Sequence, residues 1–413
     1  MGHQEDAGHL RLDGRNGASR QAVAAGRGTG RIGARCSIRR GGQLRRDRVH
    51  HSAMSATHSR GDWLHEASLV AAPLLLGFAA AAAVIVVNGG SIGMLFTAFY
   101  NTVTNRNGLL QTVASGTALA LTAQCFIIGF RCGVFNIGAE GALFAGAIAA
   151  IQVGAFWPLP QGIHLAAVML AAMLAGAAWL YPVALLKTYR NVNEIVTTIM
   201  MNFIGRYLLA FFVMWVFRDT KVDTGAFSVP IRPTGRFPVI ASPLTWACLL
   251  AVVVPVVAYV LLWHTRFGAH IRATGYNADA ARGAGIDVRR LGAMVFLAGG
   301  AAAGLAGCVL TAGLSPTFKV GEDLSALRNF GLLGISVAMI GRNHPLGAML
   351  ASFFVAAVRT SRFQFQKMGV APEVTEIFIG VVIFAFAFPY VFQSAATWIK
   401  AIRRSRWGSE EHG

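Results

Sequence analysis

Asn136 and Glu140 stand four residues apart at the head of an apolar run that lasts to Phe156, and Arg206 interrupts another run from Ile195 to Phe217. Carried by one helix, Asn136 and Glu140 would share a face. They follow a break at Cys132-Gly133, and an interrupted helix whose N-terminus points into the protein is a common way to hold polar cargo at mid-membrane. The structural alternative makes Asn136 a helix cap and Glu140 the acceptor of an internal hydrogen bond. A charge at Arg206 is costly in lipid and there faces a cavity or a partner. Either it pairs with Glu140, or its span is shifted so that Arg206 lies nearer an interface. Such residues suit passage of a polar solute or, with Glu140 as proton carrier, ion-coupled transport. They do not make a hydrolytic centre, because no H-E-x-x-H or similar constellation accompanies them. Cys36, Cys125, Cys132, Cys248 and Cys308 form no C-x-x-C pair or zinc spacing and read as packing residues. No metal site and no bound cofactor is expected.

The elements that must position these residues are membrane helices. Only 13% of the 413 residues are charged and 55% are hydrophobic, with a mean hydropathy of +0.54; soluble domains carry roughly 25% charged residues. Apolar runs of about twenty residues match the length needed to cross ~30 Å of hydrocarbon. They do not alternate, so they are helices rather than barrel strands. The expected class is all-α, a polytopic integral membrane protein of about 8–10 transmembrane helices. Spans are expected over 68–87, 109–130, 136–156, 163–186, 195–217, 244–263, 293–312 and 374–392, with two shorter pieces at 330–340 and 346–358. The latter two flank Gly341-Arg342-Asn343-His344-Pro345, read as a turn. Gly300 and Gly304 make a small-residue face for close helix packing.

The net charge of +18 points to no nucleic acid. Much of it sits in residues 1–60, an Arg/Gly-rich segment with the composition of a disordered tail, for which Met54 is an alternative start. Its Gly28-to-Gly33 stretch fits G-x-G-x-x-G but lacks the strand that would make it a nucleotide site. The remaining charge flanks the spans. Arg266, Arg272, Arg282, Arg289 and Arg290 place loop 264–290 in the cytoplasm, and the basic tail 400–413 does the same for the C-terminus. Ten crossings put both termini inside and the polar loop 218–243 outside.

Loop 264–290 reads as two short elements joined by Gly275-Tyr276-Asn277. Asn277 is a candidate N-cap for a helix from Ala278 to Arg282, ended by Gly283 or Gly285. A short helix rich in small residues on the cytoplasmic face is shaped to enter a groove on a partner; the plainer alternative is an ordinary basic inside loop.

The stretch from Arg266 to Ile286, R-F-G-x-x-I-R-A-x-G-x-N-x-x-A-A-x-x-A-G-I, resembles the coupling loop of ABC-importer permeases for branched-chain amino acids, simple sugars and nucleosides. Three further blocks resemble the nucleoside, or simple-sugar, permeases that work with a lipoprotein binding protein: Gly133 to Gly141, Asn191 to Phe203 and Ile335 to Gly347. The resemblance covers about 68–399, within a permease domain taken as 61–399. It implies a second permease subunit, cytoplasmic ATPase subunits that carry ATP and Mg, and an external binding protein, in a bacterial inner membrane. Since this chain has no G-x-x-x-x-G-K-S/T phosphate loop, ATP hydrolysis is expected on the partner and the chain itself is not an enzyme. By resemblance, Gly275, Asn277, Ala280, Ala281 and Gly285 form the ATPase contact. Asn136, Glu140, Asn202 and Arg206 are the candidates for the substrate path, Asn202 being better suited to a helix–helix hydrogen bond than to a cargo contact. Glu194 is expected at a cytoplasmic helix start, favoured by the helix dipole, and His344-Pro345 in a turn that could touch the ATPase. An ion-coupled secondary transporter is the alternative, and it leaves the coupling-like loop without a role. Nucleosides are the expected cargo, with other purine-like or sugar-like solutes behind them.

Overall fold

A computed structural model describes residues 91–221 and 225–369, with isolated positions 79, 82, 83, 86, 377, 380 and 381. Segment 1–60 and tail 400–413 lie outside the described residues, as do the spans expected over 68–87 and 374–392 apart from those positions.

Backbone surrounded by lipid must pair its own N–H and C=O groups, and this chain does so with helices. In order they are α1 Ile92–Thr104, α2 Arg106–Arg131, α3 Ala139–Phe156, α4 Ile163–Arg190 and α5 Glu194–Phe211, the last continued by a π turn to Val216. Then come α6 Leu250–His264, entered through a 3-10 turn at Trp246–Leu249, α7 Arg266–Tyr276, α8 Ala278–Gly283 and α9 Val288–Ala312. α10 Phe330–Ile340 and α11 Pro345–Lys367 follow. A two-stranded antiparallel ribbon, β1 Val239–Ala241 with β2 Leu244–Thr245, precedes α6. Among the described residues, seven helices are long and apolar enough to cross a membrane, so the protein is a multi-pass all-α membrane protein.

Two elements differ from expectation. α1 was not foreseen, because Asn101, Thr102 and Thr104 dilute a stretch of only 13 residues. It turns sharply into α2 at Asn105, whose side chain accepts the Asn107 N–H. Gly108 sits so close to the Thr102 carbonyl that a Cβ would lie 2.3 Å from it. The piece expected to stop at Val358 instead runs on to Lys367 as a 23-residue helix. Arg359 and Arg362 cut the apolar run in the sequence, but each guanidinium lies over an aromatic ring, Arg359 4.2 Å from that of Phe330 and Arg362 5.6 Å from that of Phe363. α10 keeps the expected bounds and, at about 16 Å long, is too short to cross.

The core is built on α9. Its Gly300 and Gly304 meet α4 backbone to backbone: a Cβ on Gly304 would lie 2.2 Å from the Ala172 carbonyl, and one on Gly300 2.4 Å from that of Gly176. On another side, Gly307 meets the Leu143 carbonyl of α3 at 2.1 Å by the same measure. The small-residue face thus locks three helices where apolar area alone gives little drive in lipid. Large residues such as Leu174, Tyr207, Trp215 and Val257 are exposed on α4, on α5 with its π-turn continuation and on α6, surfaces suited to lipid or another membrane helix.

Gly304→Ile is expected to lower the detergent-unfolding midpoint by at least the ~1–3 kcal/mol of an overpacked core. Gly292→Ala, where an added Cβ meets nothing within 4 Å, is expected to leave it unchanged or raise it. Equal midpoints for Gly304→Ile and the parent would contradict the three-helix lock.

Candidate functional site

After α2 the chain doubles back. Gly133, at φ +79°, lets the Val134 N–H return to the Gly129 carbonyl at 3.0 Å. Asn136 is fully buried; its Oδ1 accepts the Gly138 N–H at 2.9 Å and its Nδ2 donates to Cys125 Sγ at 3.4 Å. Cys125 is six residues before the end of α2, so α3 starts roughly 9 Å back from that end. Asn136 therefore closes the break and is not on α3, as in the structural alternative, and it does not share a helix face with Glu140. Asn202 of α5 completes the structure, accepting the Gly141 N–H at 2.8 Å and donating to the Ile137 carbonyl at 3.0 Å. Both ends of its amide are thus committed to holding the start of α3.

Glu140, in the first turn of α3, is 6% exposed. One carboxylate oxygen accepts the Asn329 N–H at 3.0 Å and the other the Leu332 N–H at 3.4 Å, so the side chain also receives the start of α10. Two helix N-termini, each with unpaired N–H groups and a positive dipole end, converge on one carboxylate. Asn329 reaches it from the left-handed region at φ +69°. Gly331 passes so close that a Cβ would lie 2.3 Å from the Glu140 nitrogen. Thr122 of α2 adds a hydrogen bond to the Phe330 carbonyl at 3.1 Å. Arg206 and Arg359 are the cations whose charge acts on Glu140. No ion pair joins Arg206 to Glu140 among the described residues, so the direct pairing is not formed, and Arg206 sits half-buried on α5. Glu194 opens α5, as expected, and pairs with Lys187 at 2.7 Å.

Loop 264–290 folds into α7 and α8. Thr265 caps α7 through the Gly268 N–H, and Asn277 caps α8, its Oδ1 accepting the Asp279 and Ala280 N–H groups at 3.0 Å. Asp287 caps α9 through the Arg290 N–H, and Gly285 ends the α8 turn at φ +85°. Gly275, Asn277, Ala280 and Gly285 are exposed, whereas Ala281 is turned inward and only 4% exposed. Gly275 rests on the end of α2, where a Cβ would lie 2.2 Å from the Arg131 carbonyl. The loop therefore bears directly on the break that leads to Glu140.

A cluster that sequence reasoning missed gathers beside it. The Arg131 guanidinium lies 5.0 Å from the Trp263 ring centre, Arg272 5.9 Å from it, and the His344 ring 4.8 Å from it. Arg131 Nε also donates to the Asn343 carbonyl at 2.9 Å, and Arg272 donates to the Leu262 carbonyl. Burial first, then the Arg131 charge, holds the His344 imidazole below its usual pKa, so it is neutral at pH 7. His344 does lie in the turn expected of it, with Arg342 and Asn343 both at positive φ. No local signal announces this cluster, since its members come from α2, α6, α7 and that turn.

Among the described residues, seven helices long and apolar enough to cross a membrane, two helices that begin inside the bundle and a capped helix pair braced against the break make a polytopic membrane protein. Residues 108–387 match the family described as branched-chain amino acid transport system / permease component, and the chain belongs to it. It is 30% identical over 327 residues to the guanosine ABC transporter permease protein NupP of Bacillus subtilis, covering 78% of this chain and 92% of that one. The nucleoside ABC transporter permease protein NupB of Lactococcus lactis is 26% identical over 74% of this chain and 86% of its own. The glucose ABC transporter permease protein TsgB13 of Haloferax volcanii is 29% identical over 67% and 74%. No solved structure matches the chain.

Asn202→Leu orphans the Gly141 N–H and the Ile137 carbonyl, and is expected to cost ~1–3 kcal/mol for each buried group left unpaired. The check is the denaturation midpoint in detergent; a parental midpoint would show that Asn202 does not hold the break.

Proposed function

We propose that this chain is the permease subunit of an ATP-driven importer for nucleosides or related small polar solutes, acting with a partner ATPase. The observation that carries the proposal is the seat of α7 and α8: an exposed, well-capped helix pair whose Gly275 presses on Arg131 at the helix break. Force applied to that pair by a protein that hydrolyses ATP reaches the start of α3 through seven residues of chain.

Within this proposal Gly275, Asn277, Ala280 and Gly285 meet the ATPase, and Ala281 seats α8 on its own chain. Glu140 holds the path closed by joining α3 to α10; Asn136 and Asn202 keep the break in shape, and Arg206 lines the approach. ATP and Mg belong to the partner. The arginines of loop 264–290 and of tail 400–413 support a cytoplasmic side for these segments in a bacterial inner membrane, with both termini inside and 61–399 as the permease domain. The exposed apolar faces of α4, α5 and α6 suit a second permease subunit, and a lipoprotein binding protein would deliver cargo from outside. Nucleosides are preferred because two relatives carry guanosine or nucleoside in their names, with sugars next. Ion-coupled transport gives the helix pair no task.

In membranes holding this chain with its partners, Ala280→Glu is expected to stop the ATPase from co-purifying. Gly275→Val is expected to keep the ATPase bound while cutting uptake by about tenfold or more, the equivalent of ~1.4 kcal/mol in coupling. Normal co-purification and uptake in both variants would refute the seat as the coupling contact.

A further inference from the structure

α9 leaves the α8 turn and after 25 residues, roughly 37 Å, ends beside a small plate that neither the clamp nor the coupling loop uses. Segment 226–231 runs between 217–219 and 318–322, antiparallel to each. On one side the Asp219 N–H donates to the Phe227 carbonyl at 2.8 Å, and the Val229 N–H to that of Phe217 at 2.6 Å. On the other the Ser228 N–H donates to the Val320 carbonyl at 2.9 Å, and the Glu322 N–H to that of Ala226 at 3.0 Å. The Ser228 hydroxyl accepts the Val320 N–H in return, at 3.0 Å. Side chains in extended segments alternate between faces. Ser228 and Val320 are fully buried beneath the plate, while Asp219, Phe227 and Lys319 share the other face, where Lys319 pairs with Asp219 at 2.7 Å across the middle segment.

The plate is fastened to three helix ends. Arg232 holds the end of α3, its N–H donating to the Gly154 carbonyl at 2.9 Å and its Nε to that of Ala155 at 2.8 Å. The Phe237 N–H donates to the carbonyl of Ala312, the last residue of α9, at 3.1 Å. His164, fully buried at the start of α4, meets the Thr234 hydroxyl at 2.7 Å and the Val153 carbonyl at 3.0 Å. From Glu322 the chain runs on past Leu324 and Leu327, both buried, to Asn329, whose N–H is held by Glu140. A short, packed stretch therefore joins the plate to the clamp.

What the plate shows to solvent is of mixed sign. Arg218 is exposed on one edge, Glu322 and Asp323 at the other, and Phe227 between them is 38% exposed. Charges gathered this way belong in water, since they are costly in lipid. Anionic lipid or nucleic acid would be drawn to Arg218 but repelled by the two acids. A protein surface suits separated charges of both signs around an aromatic ring: complementary charges set orientation and association rate, and buried aromatics anchor interfaces. The plate's backbone is already hydrogen-bonded, so docking on it has little ordering to do. Resting on the importer assignment above, we propose that this plate is where the cargo-delivering binding protein docks, meeting Arg218 with acidic side chains and Glu322 and Asp323 with basic ones. Docking there bears on the stretch that leads into α10 and so on the bonds of Glu140.

The test uses the permease with its ATPase in lipid nanodiscs, and as probe a fluorescently labelled guanosine-binding protein isolated from the same cell envelope. Arg218→Glu and Glu322→Lys are each expected to weaken its binding about tenfold at low salt, through slower association, and less at high salt. Phe227→Ser is expected to weaken it several-fold at any salt. Val239→Ser, which removes an exposed apolar side chain of β1 outside the plate, is expected to change nothing, and all four variants to keep the parental basal ATP hydrolysis. Parental affinity in the three plate variants overturns the plate and leaves the importer standing, provided Ala280→Glu still releases the ATPase. A loss with Arg218→Glu alone, seen only in discs that hold anionic lipid, assigns that arginine to lipid headgroups and also overturns the plate. Uptake by the parental complex that ignores ATP refutes the importer, and the docking protein with it.

Discussion

Lipid offers no hydrogen bonds, so a helix that begins inside a membrane protein must find partners for its first N–H groups within the chain. Here two helices begin that way, and one carboxylate serves both. Glu140 belongs to the first turn of α3, where an acid is favoured by its own helix, and it also accepts two N–H groups at the start of α10. An uncharged side chain would lack the attraction to both dipole ends, and a longer one would not fit beside Gly331. The break after α2, the 11-residue length of α10 and the closeness of Gly331 are all conditions for that meeting. A clamp of hydrogen bonds between backbone and one side chain is also separable: a shift of α3 away from α10 would break both bonds together.

For such a shift to matter, the rest of the bundle has to stay firm. The glycine contacts of α9 with α4 and α3 provide that firmness, since backbones in direct contact leave no side chain to repack. A shift of α3 relative to α2 would then be taken up in the short chain from Arg131 to Ala139. At its lower end Gly275 and the Trp263 cluster bear on it. The cluster is built from cation–ring and ring–ring contacts, each worth about 0.5–1.5 kcal/mol, and rings can slide over one another where a buried ion pair would resist. A neutral His344 leaves Arg131 and Arg272 as the cations on Trp263, which keeps repulsion there low.

Much of the fold was legible because lipid imposes length and composition on every crossing. The bounds of α10 and the capping role of Asn277 follow from local rules, an apolar run between polar turns and an Asn before a small-residue helix. What failed were places where a distant contact overrides local composition. α11 continues through Arg359 because Phe330, distant in sequence, covers the guanidinium. α1 exists although its own residues are too few and too polar to announce a span. Glu140 was conspicuous as an acid in an apolar run, yet its partners lie 189 and 192 residues away, beyond the reach of periodicity or spacing. For Asn136 the structural alternative fits: four-residue spacing implies a shared face only when a helix runs through both positions, and the break at Gly133 separates them.

The two ends of the molecule are linked through the same few residues. From the coupling side the order is Gly275, Arg131, the break and Glu140; from the outer side it is Arg359, Phe330, Asn329 and Glu140. Each step is a direct contact or a covalent neighbour, so neither end can move far without straining the carboxylate between them. A load on Phe330 and a force pressing on Arg131 would act on the same pair of hydrogen bonds from opposite sides.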